Sequence, residues 1–279
     1  MIPVRHAAPC PIVPRLLRLK EAREHAREAA PAVARLLGCT TLPLSVLQAT
    51  EKSQTYAFVV SGTRLVAKVH TDPQAMRREK LGLMLFRGGP VPDLVASSDD
   101  RGLLVMTWSA GRPFQVGRDT LSLVVSSLVR LHMAARRNLA VVSASQVRRH
   151  ELRTALAQAD AGAAHDLLLA CAKLWGEHHV PVAVADLKPE HVLVERDVCT
   201  FVDLETTSVG CSELHDLLSL VDFASDLSTF WVQWRSELAD RYVRAAQLAS
   251  GATSAALTEA MKLYEEVYLG TAPDDVVPR

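Results

Sequence analysis

The order of its predicted secondary structure is the feature that most constrains how this chain can fold. Short β-like runs occupy residues 41–108, and one helical pattern at 73–88 interrupts them. The predicted strands are 42–48, 55–60, 64–70, 92–97 and 102–108. After Gly111 the pattern becomes mostly helical. Strands that precede helices, rather than alternating with them, predict an α+β protein with two lobes joined near residue 110.

The helical part is predicted to contain helices at 118–135, 145–160, 163–178, 226–248 and 253–269. A further helix is predicted at 14–37, where Pro31 is expected to break or kink it. The mixed charges of that helix favour a solvated helix face over a partner-binding arm. The Ser61-Gly62-Thr63 turn between two strand runs predicts a β-hairpin.

Composition narrows the class of protein. The 279 residues suit one two-lobed domain or two small ones. Lys plus Arg (31) equals Asp plus Glu (31), so no charge excess points to nucleic acid or to a membrane surface. The sequence has no apolar run of the roughly 18 residues that a membrane span needs, and its N-terminus lacks a signal-peptide pattern. The five scattered cysteines are typical of free thiols. We therefore expect a cytoplasmic monomer or homodimer that binds no nucleic acid.

Residues 182–205 carry the strongest chemical signal. Two β-like runs, 192–194 and 199–204, are joined by a turn-like ERD and form a predicted hairpin. Asp186 precedes this hairpin and Asp203 lies near its end. Two carboxylates held at one end of a hairpin normally need a cation between them. Their hard oxygen ligands suggest Mg²⁺.

The stretch ADLKPEHVLVERDVCTFVDLE, which ends at Glu205, resembles the catalytic and metal loops of the protein-kinase-like superfamily. The superfamily pattern is HxDxxxxN, two short strands and then DFG or DxE. The resemblance implies that Asp186 is the catalytic base and that Asp203 binds the metal. His191 stands where the metal-binding asparagine usually lies. Lys188, in the DLKPE run, would reach the transferred phosphate.

Upstream residues follow the same order as in that superfamily. Lys68 lies in the third predicted strand, like the lysine that pairs with the nucleotide phosphates, and Glu79 would be its ion-pair partner. GLLVMTW, followed by AGRPF, resembles the last small-lobe strand and the hinge, which places Met106 and Trp108 beside the nucleotide.

The loop at 49–56, which would cover the phosphates, contains no glycine. Its backbone cannot wrap phosphates as freely as a glycine-rich loop does. Ser53 or Thr55 could contact them through a hydroxyl instead.

The region after Asp203 indicates which branch of the kinase-like superfamily the chain resembles. Asp216 follows after only 13 positions, which leaves no room for the long activation segment of protein kinases. LVRLHMAA (128–135) resembles a helix that is common in aminoglycoside phosphotransferases and choline kinases. His191 at the asparagine position resembles lipopolysaccharide kinases.

The resemblance implies an ATP- and Mg²⁺- or Mn²⁺-dependent enzyme that phosphorylates a hydroxyl of an aminoglycoside-, choline- or sugar-like molecule. The implied fold is bilobal: a helical segment at 1–38, a small antiparallel-sheet lobe at 39–110 and a mainly helical lobe at 111–279. ATP would lie between the two lobes.

Several departures keep alternatives open. The nitrogen of His191 suits Mn²⁺ better than Mg²⁺, but this residue could also act through water or be a hydrogen-bonded structural histidine. Val184 and Ala185 replace the His-Gly or His-Arg that usually braces the catalytic loop, so another residue must brace it. Glu205 replaces the glycine of DFG, as in many small-molecule kinases. A pseudokinase that binds nucleotide without transfer is therefore an alternative.

TFVDLETTSVG (200–210) also resembles the first motif of DEDD-type exonucleases, in which Asp203 and Glu205 would bind two metal ions. That hypothesis leaves Lys68, Glu79 and the DLKPE run without a role. It also requires later acidic motifs, for which the sequence after Asp203 is too short.

Overall fold

A computed structural model of the chain describes residues 12–115, 118–139, 161–176, 180–209, 212–225, 231–246 and 252–269. Within these ranges there are seven α-helices and ten strands. Two compact units account for the contacts. We call them the sheet unit (Met1–Met76 and Leu94–Trp108) and the helical unit (Arg77–Asp93 and Ser109–Arg279).

The sheet unit is built on a five-stranded antiparallel sheet with the order β1-β2-β3-β5-β4. Its strands are β1 Ser45–Ala49, β2 Ser53–Val60, β3 Thr63–His70, β4 Leu94–Ser98 and β5 Leu103–Thr107. β2 and β3 pair from Ser53↔His70 to Val60↔Thr63 around the Ser61-Gly62 turn. All five predicted strands and the predicted hairpin are therefore confirmed, with small shifts of their ends.

Helix α1, Ile12–Leu36, packs on one face of this sheet. Val33 and Ala34 of the helix join a buried cluster with apolar residues of the strands: Tyr56, Phe58, Leu65, Ala67, Leu103 and Val105. The helix continues through Pro31 to Leu36, so the predicted break there is wrong. The ring of Pro31 is exposed, and burial of the following Val33 and Ala34 against the sheet offsets the hydrogen bond that proline cannot make.

Alternation along β3 determines the direction of Lys68. Leu65 and Ala67 face the cluster under α1. Because successive side chains of a strand point to opposite faces, Val66, Lys68 and His70 lie on the other face of the sheet. Lys68 is nevertheless buried, with 7 % of its surface exposed.

The helical unit contains most of the helices. They are α3 Arg118–Asn138, α4 Ala161–Trp175, α5 Glu213–Ser225, α6 Trp231–Ala245 and α7 Ser254–Leu269. The division between the units falls within a further helix, α2 Pro73–Leu85. The predicted helix at 145–160 lies outside the described residues. The structure adds α5, which the sequence analysis missed although Leu214, Leu217, Leu218 and Val221 have helical spacing.

The predicted catalytic hairpin is present in the helical unit. Its strands are β8 Val192–Glu195 and β9 Val198–Phe201, joined by a turn at Arg196-Asp197. Two-residue strands on either side were not predicted: β6 Arg112–Pro113 pairs with β8, and β7 Val182–Ala183 pairs with β10 Ser208–Val209. β9 ends at Phe201, so Asp203 lies beyond the strand.

In the described part of the chain, every helix is too short or too polar to cross a membrane.

Gly82 makes a close contact that only glycine allows. A Cβ atom at this position of α2 would lie 2.5 Å from Thr207 Oγ1 and 2.8 Å from Leu204 Cβ. We expect Gly82→Ala to destabilise the protein by about 1–3 kcal/mol through overpacking, although alanine is the better helix former by about 1 kcal/mol. Urea denaturation checks this. Arg77→Ala, at an exposed position of the same helix, is the control and should change stability by less than about 0.5 kcal/mol.

Candidate active site

Asp186 lies in the loop between β7 and the hairpin. Lys188 Nζ donates a hydrogen bond to Asp186 Oδ2 at 2.7 Å, and both side chains are partly exposed. This bond is the main reason that the pKa of Lys188 is raised. The negative charges of Asp186, Glu190 and Asp203 act in the same direction, while partial burial opposes them. The loop therefore presents a carboxylate and a firmly protonated ammonium side by side.

His191 connects Asp186 to Asp203. His191 Nδ1 lies 3.0 Å from the backbone carbonyl oxygen of Asp186, and because a carbonyl only accepts, Nδ1 must donate. His191 Nε2 lies 3.3 Å from Asp203 Oδ2. The backbone N–H of Val202 donates to the carbonyl oxygen of His191 at 2.8 Å. The structure thus brings together Asp186, Lys188, His191 and Asp203, four of the residues that the sequence predicts for catalysis and metal binding.

The donor set at this point fits a divalent cation. The carboxylate of Asp203 and the imidazole of His191 approach each other at partly exposed positions, 34 % and 14 % exposed. A carboxylate oxygen and an imidazole nitrogen are both common ligands of divalent metals. Asp203 is held in the left-handed region, with φ 61°. Such a backbone conformation outside glycine is uncommon and is often found at functional sites.

Asp216 on α5 braces the loop that carries Asp186. Its fully buried carboxylate accepts three hydrogen bonds: Oδ2 from the Val184 N–H at 2.9 Å and from His132 Nε2 at 3.0 Å, and Oδ1 from the Ala185 N–H at 3.0 Å. The brace that the sequence analysis required is therefore Asp216. The sequence favoured a structural role for Asp216 over a catalytic one, but its bonds to this loop were not predicted.

His132 and Tyr242 complete this buried network. His132 Nε2 donates to Asp216, which leaves Nδ1 to accept from the Tyr242 hydroxyl at 2.9 Å. Burial raises the pKa of Tyr242 well above its usual range, so its hydroxyl remains protonated and donates. His132 is thus a structural residue of α3.

The segment after Asp203 is held on two sides within the helical unit. Arg78 Nε donates to the backbone carbonyl oxygen of Glu205 at 2.7 Å. Thr206 Oγ1 donates to the carbonyl oxygen of Val184 at 2.8 Å. Together with the close contact at Gly82, these bonds fix residues 204–207 between α2 and the catalytic loop.

The residues predicted to bind nucleotide are distributed between the two units. Lys68 lies on β3 in the sheet unit, opposite Thr55 of β2. Ser53 begins β2, and its N–H donates to Thr50 Oγ1 at 3.0 Å, which closes a short turn. Glu79 lies on α2 and is 2 % exposed.

Met106 and Trp108 stand at the end of the sheet unit. Met106 is buried in β5, and the guanidinium of Arg64 lies 3.5 Å from the centre of the Trp108 ring. Contacts of Met106, Trp108, Lys68, Glu79 and Ser53 with a nucleotide stay predictions.

Comparison with known proteins shows the fold. No protein-family model matches the sequence, and a search of curated proteins finds no match. A solved choline/ethanolamine kinase family protein from Mesorhizobium loti is 18 % identical, with 92 % of this chain and 89 % of that chain covered and a TM-score of 0.50. A Plasmodium vivax ethanolamine kinase is 8 % identical, with coverage of 81 % and 74 % and a TM-score of 0.51. The fold is protein-kinase-like.

A third solved structure has a lower TM-score. It is an aminoglycoside phosphotransferase with ADP and hygromycin B, 16 % identical, with 86 % of this chain and 92 % of that chain covered and a TM-score of 0.45. The kinase-like fold confirms the predicted α+β class. In this fold Asp203 and Glu205 follow directly after the β8–β9 hairpin, in the order that the kinase resemblance predicts, which argues against the exonuclease alternative.

The bonds of Asp216 give a first test of the brace. Asp216→Ala leaves two backbone N–H groups and the His132 ring without their acceptor in a buried place. We expect a loss of unfolding free energy on the order of 3 kcal/mol, measured by urea denaturation. Asp240→Ala, at a partly exposed position of α6, is the control and should cost less than about 1 kcal/mol. Equal stability of the two variants would contradict the brace.

Ala185 occupies a conformation that favours glycine, with φ 67°. An L-residue pays roughly 1–2 kcal/mol there, whereas glycine avoids this strain but gains freedom in the unfolded chain. We therefore expect Ala185→Gly to stabilise the protein by about 0.5–1 kcal/mol in thermal unfolding. Ala183→Gly is the control, because Ala183 is fully buried and lies outside the left-handed region; it should destabilise.

Proposed function

We propose that this protein is an ATP-dependent phosphotransferase that phosphorylates a hydroxyl of a small molecule. The observation that carries the proposal is the arrangement of Asp186, Lys188, His191 and Asp203 around one end of the β8–β9 hairpin in a kinase-like fold. This is the set of charges that phosphoryl transfer requires: a base for the attacking hydroxyl, a cation for the transferred group and ligands for a metal ion.

Asp186 would orient the acceptor hydroxyl and take its proton. Its carboxylate is partly exposed, so a hydroxyl can reach it. Lys188 already lies 2.7 Å from this carboxylate and would place positive charge next to the phosphoryl group as it transfers. The bonds of Asp216 to Val184 and Ala185 fix the backbone directly before Asp186, so the base needs little reorganisation during the reaction.

Asp203 and His191 would hold the metal ion, Mg²⁺ or Mn²⁺. The bound ion would neutralise charge on the nucleotide phosphates. The hydrogen bond from His191 to the Asp186 carbonyl oxygen would orient the ring for metal binding. It also connects the proposed metal ligand directly to the residue that carries the proposed catalytic base.

Residues outside the β8–β9 hairpin would contribute the remaining contacts to ATP. Lys68 would pair with the phosphates, with Glu79 as its partner, and Ser53 would contact them through its hydroxyl. Met106 and Trp108 would lie beside the nucleobase of ATP. The short Thr50–Ser53 turn supports a hydroxyl contact, since the Ser53 N–H is already used by Thr50.

The names of similar structures support a proposal for the class of acceptor. The two kinase structures with the higher TM-scores are a choline/ethanolamine kinase family protein and an ethanolamine kinase, whose names refer to small amino alcohols. We propose an acceptor of this kind or a larger aminoglycoside- or sugar-like molecule.

Ligand-induced stabilisation and phosphoryl transfer test the proposal separately. ATP with Mg²⁺ or Mn²⁺ should raise the melting temperature, because a ligand that binds only the folded state stabilises it. Asp203→Ala should lose the metal-dependent part of this shift. Asp186→Ala should keep the shift but lose transfer to amino alcohols, aminoglycosides or sugars by at least about 10³-fold, measured as ADP release. Asp197→Ala, in the exposed hairpin turn, is the matched control and should change neither.

Two outcomes would contradict separate parts of the proposal. Stabilisation by metal and ATP without transfer to any acceptor class would support the pseudokinase alternative. Transfer that survives in Asp186→Ala would remove the assignment of the base.

A further inference from the structure

We propose that His191 makes the metal centre select Mn²⁺ over Mg²⁺, and that the backbone carbonyl of Asp186 is the group that prepares His191 for this role. The inference rests on the proposed function, because it concerns the metal that would accompany ATP. It goes further by assigning metal specificity to one side chain and its orientation to one hydrogen bond.

The first step is the tautomer of His191. Nδ1 lies 3.0 Å from the Asp186 carbonyl oxygen, which can only accept, so the proton of a neutral ring is on Nδ1. Nε2 then carries the lone pair. A ring N–H that donates to a backbone carbonyl fixes the orientation of the imidazole.

The second step is the direction of that lone pair. Nε2 lies 3.3 Å from Asp203 Oδ2, so two acceptor atoms face each other. The imidazole nitrogen and the carboxylate oxygen therefore lie close enough for one cation to contact both atoms. Divalent ions bind oxygen and imidazole nitrogen at about 2.0–2.2 Å, and two ligand atoms 3.3 Å apart can both contact one ion at that distance.

The third step is the chemistry of the ligand. Mg²⁺ prefers oxygen ligands and near-ideal octahedral geometry, whereas first-row transition ions accept imidazole nitrogen readily. An asparagine at this position would complete an all-oxygen set with Asp203. His191 replaces one oxygen ligand with a nitrogen ligand, which weakens the binding of Mg²⁺ relative to that of Mn²⁺.

The partial exposure of the pair agrees with this role. His191 is 14 % exposed and Asp203 is 34 % exposed, so an ion and a phosphate can reach them from solvent. The buried His132 offers a contrast: it is 1 % exposed and bonded at both ring nitrogens to groups of the protein, Tyr242 and Asp216. His191 has the geometry of a ligand, and His132 has that of a structural histidine.

The experiment measures metal binding without turnover. Dissociation constants of Mn²⁺ and Mg²⁺ are determined by calorimetry at pH 8, with saturating non-hydrolysable ATP analogue, for the parent protein, His191→Asn and His25→Asn. The preference is the ratio of the Mg²⁺ constant to the Mn²⁺ constant. We expect His191→Asn to reduce this ratio about tenfold or more, since loss of a histidine ligand affects the transition ion most.

Pulsed electron paramagnetic resonance of bound Mn²⁺ supplies an independent readout. The parent protein should show nitrogen coupling from an imidazole that is absent in His191→Asn. His25→Asn replaces an exposed histidine of the sheet unit and should leave both the ratio and the coupling as in the parent.

The outcomes separate this inference from the proposed function. If all three proteins bind metal and nucleotide with the same preference and without histidine coupling, His191 is not a metal ligand and the inference is overturned, while the phosphotransferase proposal stands. If the parent protein binds neither ion with nucleotide, the proposed function fails, and the inference fails with it.

Discussion

The candidate active site depends on the hydrogen bonds that the buried carboxylate of Asp216 accepts. A charge placed in a protein interior is costly unless donors surround it. Here two consecutive backbone N–H groups, from Val184 and Ala185, and the ring of His132 supply those donors. One side chain therefore links α5 and α3 to the loop that carries Asp186, and the left-handed conformation of Ala185 is held because its N–H is bonded there.

The loop that Asp216 holds in turn orients the side chain of His191 through a backbone group. The backbone carbonyl oxygen of Asp186 accepts from His191, and the other nitrogen of the same ring faces Asp203. The loop, the turn at Pro189–His191 and the β8–β9 hairpin thus act as one piece. Preorganisation of this kind is where phosphoryl-transfer enzymes obtain much of their rate, since there is little covalent chemistry for the protein to perform.

The strands, most of the helices and the β8–β9 hairpin could be predicted from the sequence, because each produces a local pattern. The predictions were wrong or incomplete where tertiary packing determined the structure. Pro31 did not end α1, since burial of Val33 and Ala34 on the sheet outweighs a missing hydrogen bond. The two-residue strands β6, β7 and β10 escaped prediction because only pairing with distant segments makes them strands.

The sequence by itself determined which chemical groups are available and their order along the chain. The positions of Asp186, Lys188, His191 and Asp203 around a hairpin follow from local alternation and turn residues. Only the tertiary structure decided which hydrogen-bond partners these groups have. The tautomer of His191 depends on the carbonyl oxygen that its ring reaches, and the role of Asp216 depends on a loop 31 positions away. Hydrogen bonds between distant residues leave no periodicity in a sequence, so they become visible only when the chain is folded.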